Sequence, residues 1–207
     1  MRAVLWTVVV SAACSGSGDL ETEPPPDTEV RAGAAEAEPA AADAGSEALR
    51  RAESAAAELG KTLKGRLQTS LKEDGPAAAL QMCSTEAATL TAHVATSSQV
   101  RTGRSSLRLR NPGNAGPDWV TAWLDSQGER PAQGVAPVSR VDTLPDGTRL
   151  ARVIKPLEVG APCLLCHGAT LAPDVQDALS LRYPRDQAVG YAAGDLRGAL
   201  WAEAPVR

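Results

Sequence analysis

The sequence predicts an α+β fold, an antiparallel sheet carrying an N-terminal helical hairpin, and three observations predict it. Leu49, Leu59, Leu63, Leu67 and Leu71 recur at helical spacing with lysine and glutamate between them. VSRVDTLPDGTRLARVIKP (138–156) reads as two alternating segments around PDG, the pattern of a β-hairpin. Helical segments come first and strand-like ones later, an order that favours α+β over an alternating α/β fold.

Taken in chain order, MRAVLWTVVVSAAC (1–14) has the form of a signal peptide: Arg2 precedes a short apolar run, too short to span a bilayer. Ser11, Ala12 and Ala13 lead into Cys14 in a way that resembles a bacterial lipobox, which makes Cys14 the expected lipidation site. Ser11 stands where that pattern prefers leucine. Residues 15–45 are rich in Ala, Pro, Glu and Asp, with eight acidic residues and one basic, and read as a disordered acidic tether. Residues 46–207 then hold 19 basic and 17 acidic residues, near balance, which leaves no electrostatic footprint for nucleic acid.

An N-terminal helix is expected over 46–75, ending at Asp74-Gly75-Pro76, where glycine closes one helix and proline opens the next. The main domain is set at 76–207. Its first helix is expected to run from Pro76 to about Thr96. LRLRNPGNAGPDW (107–119) reads as a strand-like stretch broken by turn residues. The 138–156 hairpin, the CLLCHG segment (163–168), a short helix after Pro173 and a strand around 194–204 complete the order. Aromatic residues are only 3% and Phe is absent, so a bulky cofactor is expected to complete the interior.

Cys163-Leu164-Leu165-Cys166-His167 is C-x-x-C-H, the spacing of covalent haem c attachment. Two thiols three positions apart reach the two vinyl-derived carbons on one haem edge, and the adjacent histidine becomes the proximal iron ligand. A structural zinc site lacks ligands here, since only Cys83 and His93 remain. A redox dithiol would sit in a βαβ unit, which the pattern does not contain. One motif implies one haem.

Cys83 is then left over, and Cys83, His93, Met82 and Met1 are the available sixth ligands; Met1 leaves with the leader. With Leu80 at zero on a helical wheel, Cys83 falls near ~300°, inside the stripe of Leu80, Ala87, Leu90 and Val94. His93 near ~220° and Met82 near ~200° lie at its edge or beyond. The buried face thus offers the Cys83 sulfur before the His93 nitrogen. The plain alternatives are a buried small residue for Cys83, a surface histidine for His93 and core filling for Met82.

CSTEA (83–87), GRSSLRLRNPGN (103–114) with Trp119, PCLLCHG (162–168) and YPRDQAVGYAAGDLRGA (183–199) together resemble the haem c domain with a PAS-like fold, first described as a domain of unknown function. The resemblance covers about 76–203. That family occurs as standalone exported proteins and as the sensor part of bacterial signalling proteins. It implies His/Cys axial ligation with the cysteine on the N-terminal helix, hence His167 and Cys83 here. Arg104, Arg110 and Arg197 are candidates for the haem propionates, with a solvated or paired arginine as the plain alternative. Trp119 is a further candidate cofactor contact. Trp119, Tyr183 and Tyr191 are read as pocket walls or core, and Asp186 and Asp195 as partners of the arginines. Asn111, Gly113, Asn114, Gly190 and Gly194 are read as turn-formers.

The expected function is an exported, lipid-anchored haem c protein on the periplasmic side of a bacterial membrane, acting as a redox or small-ligand sensor module. Thiolate ligation favours a low potential, so a low-potential electron-transfer cytochrome is the alternative. A peroxidase-like enzyme would need a distal acid–base group, which only His93 offers, so no enzymatic activity is expected. The chain ends at Arg207 without an output region, so the signal is expected to pass to a redox or signalling partner protein. A homodimer through the N-terminal helices would bury Leu59, Leu63, Leu67 and Leu71.

Overall fold

The computed structural model describes residues 37–207, with side chains from residue 42. The leader, Cys14 and the tether through residue 36 lie outside the described residues. Helix α1 spans Ala37–Glu73, so residues 37–45, expected as tether, are already helical. The stretch lacks large apolar side chains but is rich in alanine, the strongest helix former.

Alanine also explains how α1 packs. Ala48, Ala52, Ala55 and Ala56 are buried against Ala151, Val153, Ala202 and Ala204 of the sheet and against Val100 just before its first strand. Small residues on both surfaces let the helix lie close to the sheet, so this part of the interior needs no bulky filler. Further along, Leu59 is buried with Val94 and Leu200, and Leu63 packs beside them. Of the leucines read as a dimer seam, Leu59 and Leu63 therefore have packing partners within the chain.

The single helix expected over 76–96 is two, α2 (Gly75–Thr85) and α3 (Ala87–Ser98). Ser84 and Thr85 both donate their hydroxyls to the Gln81 carbonyl, at 2.7 and 3.0 Å. Such back-bonding bends helices, and the break falls at Glu86. Arg66 on α1 grips the Glu86 carboxylate with two hydrogen bonds of 2.8 and 3.0 Å, which sets where α2 ends.

Strands β1 (Arg101–Ser105), β2 (Val138–Thr143), β3 (Arg149–Glu158) and β4 (Leu196–Pro205) form an antiparallel sheet in the order β1-β4-β3-β2. The hairpin at PDG is β2–β3, with Gly147 at φ +83° in its turn. The stretch expected as strand-like at 107–119 is instead loop, a 3-10 turn at Pro112–Asn114 and the start of helix α4 (Asp118–Gln127). Asn111 accepts the Gly113 N–H at 2.9 Å and holds that turn, while Pro117 presets the helix start. The strand lies just before, in the polar sequence RTGRS.

Alternation along the sheet puts α1 on one face and α4 on the other, where Val120 and Leu124 meet Ile154, Ala199 and Trp201. After β3 come the short helix α5 (Leu164–His167) and α6 (Pro173–Arg182). Leu80 of α2 is buried with Val175 and Leu179 of α6, so α2 is packed between α1 and α6. The architecture is α+β with an antiparallel sheet. Among the described residues no helix is long and apolar enough to cross a membrane.

The β3–β4 ladder shifts register between Leu157 and Glu158, opposite Gly198. Gly198 has φ +148°, and a Cβ there would stand 2.2 Å from the Ser105 carbonyl oxygen, a backbone atom that cannot swing away. Gly198→Ala is expected to cost at least about 2 kcal/mol and to lower Tm by roughly 5 °C, read by thermal circular dichroism. An unchanged Tm would mean that the bulge does not need glycine.

Candidate cofactor site

Past that bulge the sheet opens into a cavity of about 250 Å³ lined by Cys83, Arg104, Arg110, His167, Tyr183 and Arg197, with Leu67 and Leu157 as apolar wall. A second space of about 190 Å³ shares Leu67, Cys83, Arg104 and Leu157 and extends to Met82. Cys83 from α2 and His167 from α5 thus face one cavity although 84 positions separate them. His93 is exposed and away from it. Met82 is buried against α1 rather than at the edge of the buried stripe. A one-stripe wheel fails for α2 because it is covered on both sides.

His167 is held by backbone. Its Nδ1 lies 2.6 Å from the Ala188 carbonyl, which can only accept, so Nδ1 carries the proton and Nε2 presents its lone pair. This is the usual way a protein fixes a ligating imidazole. Burial, with the Arg197 and Arg110 charges adding to it, lowers the His167 pKa to about 3, so the ring is neutral. Tyr191 meets the ring edge-on at 6.3 Å.

A strap from 183 to 191 wraps α5. Tyr191 N–H donates to His167 O at 2.9 Å and Gly190 N–H to Gly168 O at 3.0 Å. Gly168 has to be glycine here, since a Cβ would sit 2.7 Å from the Leu164 carbonyl. Arg110 ties the strap down: its Nε meets Asp186 at 3.2 Å, and its Nη2 donates to the carbonyls of Cys166 and Ala188. Asp186 also accepts the Ala188 N–H at 2.7 Å.

The expected arginine roles therefore divide. Arg110 is largely spent on positioning the motif, and its pairing with Asp186 matches expectation. Asp195 instead accepts the Ala192 N–H at 2.8 Å. Arg197 donates to Ser106 Oγ at 2.7 Å and is largely buried, with Nε lacking any hydrogen bond. Arg104, beside Cys83, has no hydrogen bond or ion pair among the described residues.

Trp119 is not brought to the cavity. It stacks edge-on with Trp201 at 6.2 Å, under Arg152, on the α4 face of the sheet. The helix at 118–127, which the turn-rich sequence before it concealed, carries it there. Tyr183 and Tyr191 are wall and core, as expected, and sequence reading missed Leu67, Leu157, Ser105 and Ser106 as lining. The serines carried no motif signal. Leu67 was visible only as a helix repeat.

The two motif thiols diverge: Cys163 packs with Val159, Ala188 and Tyr191, and Cys166 with Leu80, Val175 and Leu179. Burial raises the thiol pKa of both Cys166 and Cys83, and Arg110 opposes it at each; at Cys83 the opposing charge of Arg104 is the larger. Among the described residues no group of three or more His, Cys, Asp and Glu side chains is placed to hold a metal ion by itself. An iron macrocycle fits the donor set that is there: a neutral imidazole with its lone pair free, a thiol facing the same space, and a guanidinium with no side-chain partner for an anionic substituent.

Comparison with known proteins gives the following. A family model described as Tll0287-like matches residues 34–205. The crystal structure of the cyanobacterial heme-protein Tll0287 aligns at a TM-score of 0.53 and 21% identity, over 73% of this chain and 91% of that one. At that identity the likeness speaks for the fold alone. No curated protein matches.

Proposed function

The chain belongs to the Tll0287-like family, and from that premise we propose that it is a haem-binding redox protein carrying one covalent haem c in a PAS-like domain. Cys163 and Cys166 would hold the haem by thioethers, and His167 and Cys83 would hold its iron. The observation that carries the reading is that Cys83 and His167 line the same cavity, with the His167 Nδ1 proton fixed on the Ala188 carbonyl. The haem protein Tll0287 supports it.

Bound haem supplies an iron that changes oxidation state and exchanges its sixth ligand. The protein's part is asymmetric. His167 is clamped by Ala188, the strap and Arg110. Cys83 sits on a helix whose end is bent, in a site where burial favours the neutral thiol and Arg104 favours the thiolate. Burial outweighs the arginine charge and favours the protonated thiol, so Cys83 would hold an iron less firmly than the clamped His167, and on that asymmetry we assign a redox or small-ligand sensor module. In this reading Cys14 anchors the exported protein by lipid on the periplasmic side of the membrane, and a partner protein receives the signal. Low-potential electron transfer is the second reading. Leu165, between the two cysteines, is 49% exposed, which brings the motif edge toward solvent, as electron exchange requires.

The test is the EPR and optical spectrum of the ferric, haem-loaded protein beside Cys83→Ala. A low-spin thiolate signature that the variant loses is expected. Identical spectra would remove Cys83 from the iron. CO binding to the reduced wild type supports sensing, whereas a reversible couple that excludes CO supports electron transfer.

A further inference from the structure

On the other side of Arg197 and Tyr191 lies a separate cavity of about 270 Å³. Its apolar wall is Leu107, Leu124, Pro131 and Leu196, and it contains neither Cys83 nor His167. Three guanidiniums, Arg108, Arg130 and Arg197, line it together with two carboxylates, Glu129 and Asp195.

The hydrogen bonds leave this cavity short of negative charge. Asp195 is committed to the Ala192 N–H. Glu129 lies 3.2 Å from Arg108 Nε, yet Nε makes no hydrogen bond, so the carboxylate stands off the N–H direction. Glu129 is also 67% exposed, and an exposed pair of this kind holds weakly. Arg197 Nε is buried and without an acceptor as well. The Arg108 guanidinium carbon lies 3.8 Å from the centre of the Tyr191 ring and that of Arg197 5.2 Å from it, so both cations gather at one aromatic ring. Buried donors without acceptors are costly and rare, and two of the three buried side-chain atoms of this kind among the described residues belong to residues that line this space, Arg197 standing between it and the Cys83 cavity.

We propose that this cavity binds a small organic carboxylate, its oxygens on Arg108 and Arg197 and its apolar body against Leu107, Leu124 and Leu196. Guanidiniums recognise carboxylates through paired N–H donors, and Glu129 is the competitor that a ligand displaces. Tyr191 touches the cavity on one side and the His167 ring on the other, so occupancy reaches the histidine through a shared aromatic wall.

The test is calorimetric titration of the haem-loaded protein with benzoate and, separately, benzamide in low-chloride buffer. Benzoate is expected to bind at least tenfold more tightly than the neutral amide. Arg108→Gln should weaken benzoate at least tenfold, and Glu129→Gln should tighten it, with thermal melts confirming that both variants fold. Absence of benzoate binding, equal affinity for benzamide, or indifference to both substitutions would overturn the proposal. The haem spectrum is read separately on the same samples, so failure here leaves the iron ligands standing, and failure there leaves this site standing.

Discussion

Arg110→Ala is expected to destabilise the protein by about 3–5 kcal/mol, because it strands a buried carboxylate. The Arg110 and Asp186 side chains are each only 10% exposed, so Asp186 would lose its counter-charge in a site with little water. The carbonyls of Cys166 and Ala188 lose a donor at the same moment, and Ala188 is the residue that orients His167. Urea denaturation of the haem-loaded protein measures the loss, and a thermal melt should show a Tm lower by roughly 10 °C. Arg110→Lys should restore little, since a single ammonium does not reproduce a fork that reaches three acceptors. Adding Asp186→Asn to Arg110→Ala should return part of the stability, because the stranded charge is gone. A single variant within about 0.5 kcal/mol of wild type would show that the strap holds without its latch.

The second large effect is acid lability of the chain before iron is bound. His167 has a pKa of about 3 when folded and 6.5 as an ordinary side chain, with burial as the main cause. Between those values the unfolded chain binds a proton that the folded chain refuses. Stability therefore falls as pH drops from about 6.5 toward 3, and it is fully present above 6.5. A depression of this size corresponds to about 5 kcal/mol at most. Urea midpoints of the haem-free chain at stepped pH should follow this curve, and His167→Gln should flatten it. Equal slopes for the two proteins would place the acid sensitivity on other groups. In the iron-loaded protein the metal competes with the proton, and the fall should move to lower pH.

The candidate site was more legible than the path of the chain around it. C-x-x-C-H at 163–167 fixes three residues by spacing alone, and the hairpin at 138–156 follows from alternation about PDG. Cys83 was legible as part of a buried helical face, although the wheel misplaced Met82, because α2 is covered by α1 and α6 together. Trp119, expected as pocket wall or core, belongs to the core, and its separation from the cavity was hidden for a different reason. A proline-started helix after a turn-rich stretch reverses which face of the sheet a side chain meets, and no local pattern states which face that is. Arg110 was legible as a site residue and not as a latch: its acceptors are two main-chain carbonyls and one distant aspartate, which sequence types do not encode. The extra length of α1 was hidden by composition, since alanine and glutamate serve a tether and a helix equally well.

The place of β4 has a consequence for timing. It is the last described strand in the chain, yet it sits inside the sheet, pairing with β1 on one side and β3 on the other. Until residues 196–205 are available, β1 has no neighbour and the α1 face has only half its floor. An emerging chain therefore completes its sheet only when the final strand arrives. Under the covalent attachment proposed above, that order would leave an interval before the fold closes in which both thiols are reachable.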